Sequence, residues 1–307
     1  GFLSFGFPGG LNDQACDAID LGLLTADMTL GNADTSLYNN YCATAVNEPS
    51  PWGYGAGWVN NQAVWFTFST GPDPSSHIAV RMESDPSGIG DPINLQAAIW
   101  TNDNGCMGGW NFIAQNHDPA TWGEEILLEC PQPNTTYFIM VDAVWDDPEQ
   151  LEGWFGVEVR DYGVLPLSDA VCDALQLGQI PDGGLLTSPP AMSNNCSGNN
   201  TGVSPTAFSV QAGVWVSFVA PQSGHVIIDA LADSSLDPID LQLALYASSN
   251  GDCTGQLTEL AGAYIQASPD ESLTVHCLNP GQEYFLLVDG GGNLDSQTGI
   301  FNITVTD

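Results

Sequence analysis

The side chains best suited to chemistry in this sequence are carboxylates, and several recur at matched positions around two strand-like segments. Ca²⁺ takes about six to eight oxygen ligands, commonly from acidic loops of this kind. We therefore expect calcium ligands among Asp91, Asn94, Asp142, Asp146, Asp237, Asp240, Asp289 and Asp295. The competing interpretation is turn chemistry, because Asp-Pro starts turns and Asp ends strands. A chain with 37 acidic residues also produces clusters by chance.

The sequence contains 8 cysteines, in two groups that keep the same order along the chain. An even number at matched positions predicts disulfides and an oxidising compartment. Since the pattern repeats, pairing within each group is expected. The predicted pairs are Cys16–Cys42, Cys106–Cys130, Cys172–Cys196 and Cys253–Cys277. Zinc is disfavoured, because the sequence has no CxxC pair and only 4 histidines.

Aromatic residues are concentrated in the first half of the chain, where eight of the 9 tryptophans precede residue 160. Trp65 and Trp100 fall in strand-like segments and are predicted to pack against the fold. Aromatic residues in loops can stack on sugar rings or anchor a protein interface. The candidates are Trp52, Tyr54, Trp58, Trp110, Trp122 and Trp145. The competing interpretation is local packing beneath long loops.

Nucleophilic catalysis has little support in the residues. The sequence contains no GxSxG elbow, and oxidised cysteines offer no thiolate. Paired carboxylates could serve a glycosidase, but among so many acidic residues such pairs carry no information. We therefore predict that the protein is not an enzyme. Glycosylation sequons occur at Asn134, Asn195, Asn199 and Asn302, and if the protein is glycosylated all four should be exposed.

An internal repeat positions all of these residues. DPINLQAAIW (91–100) matches DPIDLQLALY (237–246), and AVWFTF (63–68) matches GVWVSF (213–218). Self-similarity on this scale predicts two tandem domains. The predicted divisions are an N-terminal arm (1–10), a first domain (11–161), a linker (162–166) and a second domain (167–307).

Each copy reads as short strands separated by turns. Phe301, Ile303 and Val305 alternate with polar neighbours, and 34 glycines and 20 prolines punctuate such runs. This pattern predicts an all-β fold of two tandem antiparallel β-sandwich domains, jelly-roll-like in type. The helix candidates are CDAIDLG (16–22) and its repeat CDALQLG (172–178), where a one-turn helix or a strand fits equally well.

Charge limits the partners. The formal net charge is −35, and Arg81 and Arg160 are the only Lys or Arg residues. Nucleic acid is excluded because phosphate binding needs cationic side chains, and insertion into a membrane is not expected because no segment is long enough. High external salt, as in a halophilic protein, or bound divalent cations would relieve the self-repulsion. No signal peptide is evident, and we expect a mature N-terminus.

The N-terminal arm stands outside the repeat. Its apolar residues are Phe2, Leu3, Phe5 and Phe7, and the last three alternate as on one face of a strand. We predict that the arm adds as a donor strand to the next copy of the protein, a head-to-tail contact that makes a fibre. The alternative is pairing with an edge strand of its own domain.

The order of motifs resembles the bacterial pre-peptidase C-terminal-like domains and related CUB-like secreted β-sandwiches of Bacteroidota-type surface proteins. The second copy carries the resemblance best, in DPIDLQLALY (237–246) and NPGQEY (279–284), whereas the first copy departs from it at QPNTTY (132–137). The resemblance covers most of both copies. It implies secretion and an accessory, binding or adhesive role without a reaction.

These observations together predict a non-enzymatic extracellular or cell-surface structural protein. Its chains would assemble with copies of themselves into a filament, and calcium would be the stabilising cation. The alternative prediction is a calcium-dependent adhesion module that binds glycans or surface polymers through the Trp-rich loops of the first copy.

Overall fold

The computed structural model describes residues 12–33, 37–44, 48–49, 62–84, 93–116, 122–144, 151–199, 201–233, 235, 237–265, 268–291 and 297–307. The chain divides into unit 1 (residues 1–163) and unit 2 (residues 164–307). Several predicted site residues lie outside the described residues. They are Phe2, Leu3, Phe5, Phe7, Trp52, Tyr54, Trp58, Asp91, Trp145, Asp146 and Asp295.

Unit 1 is built from short strands. They are β1 (Ile19–Leu24), β2 (Thr29–Asn32), β3 (Tyr38–Asn39), β4 (Val64–Thr70), β5 (His77–Glu83), β6 (Leu95–Asn102), β7 (Trp110–Asn116), β8 (Gly123–Glu129), β9 (Thr136–Ala143) and β10 (Trp154–Asp161).

Unit 2 repeats the scheme. Its strands are β11 (Leu165–Pro166), β12 (Leu175–Gln179), β13 (Leu185–Thr187), β14 (Met192–Ser193), β15 (Val214–Val219), β16 (Val226–Ala232), β17 (Leu241–Ser248), β18 (Leu257–Ala263), β19 (Glu271–Val275), β20 (Glu283–Gly290) and β21 (Ile300–Thr306).

Each unit contains two sheets, and sheet I has the same strand order in both copies. Sheet I is β1-β4-β9-β6-β7 in unit 1 and β12-β15-β20-β17-β18 in unit 2. Sheet II is β2-β10-β5-β8 in unit 1, where β3 also pairs with β10, and β11-β14-β21-β16-β19 in unit 2, where β13 also pairs with β21. The all-β sandwich prediction is confirmed. Among the strands that the structure describes, pairing is antiparallel except at β1–β4, β12–β15 and β11–β14, which are parallel.

Alternating residues place the core between the two sheets. In β4, Val64, Phe66 and Phe68 point into one cluster with residues of sheet II such as Val80 and Phe155. Trp65 points the other way and belongs to a second cluster on the outer face of sheet I. Sheet I is therefore buried on both faces, which explains why β6 and β9 are almost continuously apolar.

A one-turn 3-10 helix and a disulfide cover that outer face in each unit. The helices span Ala15–Asp17 and Val171–Asp173 and run directly into β1 and β12. Both interpretations of the repeated CDA segment are therefore correct, a turn of helix followed by a strand. Ala15 and Val171 pack on the outer-face clusters of their own units.

A buried asparagine repeated in both units ties the loops to the sandwich. The Asn194 side-chain amide donates to the Ala212 and Gln297 carbonyls at 2.9 and 3.0 Å. Its Oδ1 accepts from the Gly299 amide at 2.9 Å. Asn40 makes the matching bonds in unit 1. These bonds satisfy buried polar groups and hold the loops that lead to the sites below.

Candidate functional site

The disulfide pairs predicted from the repeat are wrong. The structure joins Cys16 to Cys106 and Cys172 to Cys253, each with a Cα–Cα distance of 4.9 Å. The reason is that each 3-10 helix lies over the outer face of sheet I, beside the turn that connects β6 to β7 or β17 to β18. The bonded cysteines are therefore close in space although 90 and 81 residues apart in sequence.

The other four cysteines break the symmetry between the copies. Cys130 and Cys196 are disulfide-bonded, whereas Cys42 and Cys277 are exposed free thiols. In order along each copy, Cys42 and Cys196 are second and Cys130 and Cys277 are fourth. Unit 1 thus exposes a free second-position thiol, and unit 2 exposes a free fourth-position thiol.

Two predicted calcium ligands are buried carboxylates that hold backbone amides. The two oxygens of Asp289 accept hydrogen bonds from Gln211 and Ala212 at 3.0 and 2.8 Å. Asp142 accepts one from Gln62 at 2.9 Å in unit 1. Burial raises the pKa of Asp289 to about 6 despite these bonds. Backbone anchoring accounts for both residues without a cation.

Asp240, another predicted calcium ligand, interacts with a second carboxylate, Glu271, which was not among the predicted site residues. Glu271 at the start of β19 is 3% exposed. Its Oε1 accepts from the Ile265 amide, whereas its Oε2 and Asp240 Oδ1 are buried without a hydrogen-bond partner. Burial raises the pKa of Glu271, and the charge of Asp240 raises it further. Two such oxygens could bind a divalent cation.

The two other predicted calcium ligands among the described residues, Asn94 and Asp237, each accept a hydrogen bond from the protein. The Asn94 carbonyl accepts from the Val144 amide at 2.8 Å. Asp237 accepts from Asn195 Nδ2 at 2.9 Å.

Within unit 1, the Glu48 carboxylate is buried against Trp65, whose Nε1 donates to it at 3.3 Å. Burial raises the Glu48 pKa to about 8, and the charges of Asp142 and Asp13 add to the shift.

The predicted role of Trp110 as a loop aromatic is wrong. It lies in β7 and stacks on Trp65 with ring centroids 5.2 Å apart. Trp100, Phe112 and Phe138 complete the outer-face cluster around it. The prediction failed because β7 is not apparent from the pattern of alternation, although the packing of Trp65 and Trp100 is confirmed. Trp122 precedes β8 and is half-buried.

On the outer face of sheet I, where unit 1 has its aromatic cluster, unit 2 has a cavity of about 530 Å³ beside the β17–β18 hairpin. We call this cavity the outer-face pocket. Its wall is formed by Val171, Thr201, Gly202, Val203, Ser204, Tyr246, Cys253, Gly255, Gln256, Leu257 and Glu259.

The difference follows from strand register. In unit 1 Trp100 pairs with Phe112 and Asn102 with Trp110. In unit 2 Tyr246 pairs with Glu259 and Ser248 with Leu257. Because Trp100 and Tyr246 occupy matching repeat positions, Leu257 replaces Trp110 and Glu259 replaces Phe112. Smaller side chains therefore leave open in unit 2 the space that aromatic rings fill in unit 1.

Polar atoms around this pocket lack partners. Tyr246 Oη, Thr201 Oγ1 and Trp215 Nε1 are buried without a hydrogen-bond partner, and Trp215 lies against Tyr246 with ring centroids 5.5 Å apart. Burial raises the pKa of Tyr246, and Glu259 raises it further. The Glu259 carboxylate is held by the Thr206 amide and hydroxyl, both at 2.8 Å.

The sequons fall into two classes. Asn134 and Asn199 are exposed, whereas Asn195 and Asn302 are only partly exposed. The Asn195 amide nitrogen is occupied by its bond to Asp237. The expectation that all four are exposed is therefore met at Asn134 and Asn199 alone.

Comparisons with known proteins add little. No family model and no curated protein matches the chain, and no helix among the described residues is long and apolar enough to span a bilayer. Solved structures align at low similarity. Tripeptidyl peptidase 2 aligns at 10% identity and a TM-score of 0.26, over 92% of this chain and 24% of its own.

Two tandem-domain structures align over more of their own length. The CUB1-EGF-CUB2 domains of rat MASP-1 align at 10% identity and a TM-score of 0.23, over 94% of this chain and 100% of theirs. The CBM22-1-CBM22-2 tandem domain from Paenibacillus barcinonensis Xyn10C aligns at 8% identity and a TM-score of 0.23, over 92% and 94%. Likeness at this level supports no inference about activity.

Proposed function

We propose that this protein is a non-enzymatic extracellular structural protein whose chains join head to tail into filaments. The observation that carries the proposal is the asymmetry of the cysteines. Each chain exposes one free thiol in unit 1, Cys42, and one in unit 2, Cys277. The counterparts of both in the other unit are disulfide-bonded.

In a secreted protein, a cysteine left over from the disulfides is either a site of pairing between molecules or a free reactive thiol. Joining Cys277 of one chain to Cys42 of the next would bond one second-position and one fourth-position cysteine. The two thiols lose two protons and two electrons. A small-molecule disulfide such as oxidised glutathione accepts them and becomes two thiols. Because the two ends differ, the contact does not close on itself, and repetition produces a filament.

Edge strands offer a second connection, for the N-terminal arm predicted from the sequence. Strands β7 and β8 lie at the edges of the two sheets of unit 1. Their outward-facing Ile113 and Leu127 are 41% and 38% exposed. Exposed apolar edges accept added strands. The donor strand itself, residues 1–10, remains a prediction from sequence.

Two single variants test the covalent connection. Cys42→Ser keeps only the unit 2 thiol, and Cys277→Ser keeps only the unit 1 thiol. Under a glutathione redox buffer, we expect ladders of covalent oligomers from the unmodified chain on non-reducing gels. Each variant alone should stay monomeric, and an equal mixture of the two should give covalent dimers and nothing larger.

Other outcomes would contradict the proposal. Dimers from either variant alone would indicate symmetric pairing, which closes and makes no filament. Monomers from the unmodified chain and from the mixture would remove the covalent connection altogether. Deleting residues 1–9 in the Cys42→Ser/Cys277→Ser background, followed by electron microscopy, tests the arm separately from the thiols.

Calcium remains a proposal, and the Asp240–Glu271 pair is its best-supported position. The matching residue in unit 1 is Asn94, so Asp240→Asn introduces a side chain that the fold already accommodates. We expect Ca²⁺ to raise the melting temperature of the unmodified chain over that in EGTA by several degrees, because binding stabilises the folded state. Asp240→Asn should remove most of that increase. An equal increase in both proteins would place the ion elsewhere.

A further inference from the structure

We infer that the outer-face pocket of unit 2 binds a neutral saccharide, with Tyr246 and Thr201 as hydrogen-bonding residues. This binding site is independent of the proposed assembly. It lies in unit 2, whereas the sequence placed candidate glycan contacts in the Trp-rich loops of unit 1.

Unsatisfied polar atoms are the first argument. Tyr246 and Thr201 are 3% and 4% exposed, yet their hydroxyl oxygens have no hydrogen-bond partner. Both residues line the cavity. Buried polar groups in native proteins are almost always paired, with protein, water or ligand. Both oxygens are inaccessible to solvent, so the two side chains must turn toward the cavity when a ligand binds. A hydroxyl both donates and accepts, so in that orientation these two groups match the hydroxyls of a sugar.

Charge excludes anionic ligands from the pocket. No residue of the pocket wall is basic, and the chain as a whole carries a formal charge of −35. An anionic ligand would therefore be repelled. Glu259 is the one carboxylate of the wall, and each of its oxygens already accepts a hydrogen bond from Thr206 and can accept one more. The unpaired hydroxyls of Tyr246 and Thr201 therefore select the class of ligand, a neutral molecule with many hydroxyl groups.

Shape supports the same class. A volume of about 530 Å³ lies within the range of small-ligand pockets. The ring of Tyr246 and the side chains of Val171, Val203 and Leu257 provide apolar surface, against which the carbon-bound faces of a sugar ring can pack. Unit 1 closes this space with Trp110 and Phe112, so the same framework offers a filled version for comparison.

The experiment uses the full chain in solution. Glucose, galactose, xylose, N-acetylglucosamine and cellobiose are screened by saturation-transfer NMR, and the best probe is then titrated by calorimetry. We expect at least one to bind with a millimolar or tighter Kd. Tyr246→Phe should weaken binding by about fivefold to tenfold, because it removes one hydrogen bond. Leu257→Trp, which restores the unit 1 residue, should abolish binding.

Leu260→Trp is the matched control, because Leu260 lies on the same strand and is 44% exposed. It should bind the probe like the unmodified chain. The melting temperature of each variant distinguishes loss of binding from loss of folding. The inference is overturned if none of the five sugars binds at about 10 mM, or if a sugar binds equally well to the Leu257→Trp chain.

Discussion

Replacing Cys172 and Cys253 together with serine is expected to lower the free energy of unfolding of unit 2 by about 2–5 kcal/mol. The bond links residues 81 apart in sequence, so its loss allows the unfolded chain many more conformations. It also packs on the outer-face cluster around Trp215, so serine hydroxyls would replace an apolar contact. Urea denaturation followed by circular dichroism measures the effect.

Cys277→Ser is the control for that experiment. Cys277 is in the same unit, but it is exposed and carries no disulfide. We expect its replacement to leave the unfolding free energy within about 0.5 kcal/mol of the unmodified value. A loss below about 1 kcal/mol in the double variant would contradict the role given to the bond.

Raising the pH from 6 to 9 in calcium-free buffer is expected to destabilise unit 1 by about 2–3 kcal/mol. The cause is Glu48, because burial raises its pKa in the folded state from an ordinary value of 4.5 to about 8. A raised pKa means that the folded state binds the proton more tightly. The resulting stability is complete below pH 4.5 and is lost as the pH rises through 8.

Glu48→Gln isolates this effect, because it keeps the shape of the side chain without the charge. Most other carboxylates have titrated below pH 6, so they contribute little in this range. Urea denaturation at constant, high ionic strength should show a shallower pH dependence in the variant and a higher stability at pH 9. Parallel pH profiles for the two proteins would mean that the pKa of Glu48 is not raised in the folded state, which contradicts the prediction.

The fold class could be predicted because it depends on local patterns. Alternation in segments such as Phe301–Val305 identifies strands with one buried face, and the recurrence of strand-like segments identifies a repeat. The parallel pairing of β1 with β4 could not be predicted, because strand direction depends on partners distant in sequence. A signal for the buried Asn40 and Asn194 was present, since each lies two residues before the second cysteine of its copy.

The candidate sites were harder to predict, for physical reasons. Cysteine pairing depends on where the 3-10 helix crosses the outer face, which no spacing in the sequence records. The outer-face pocket arises from side chains that are too small to fill a space. It can be recognised only after Leu257 of unit 2 is aligned with Trp110 of unit 1 through the strand pairing in each copy. Glu271 gave no signal among so many acidic residues.

The most direct test of head-to-tail assembly is to map the disulfides between molecules. Chains labelled with ¹⁵N are mixed with unlabelled chains as reduced monomers, oxidised together and digested with pepsin at low pH, which suppresses thiol exchange. Peptides joined through Cys42 and Cys277 should carry one labelled and one unlabelled half as often as random pairing allows. If that linkage is absent, or if its two halves always share a label, head-to-tail disulfide assembly is contradicted.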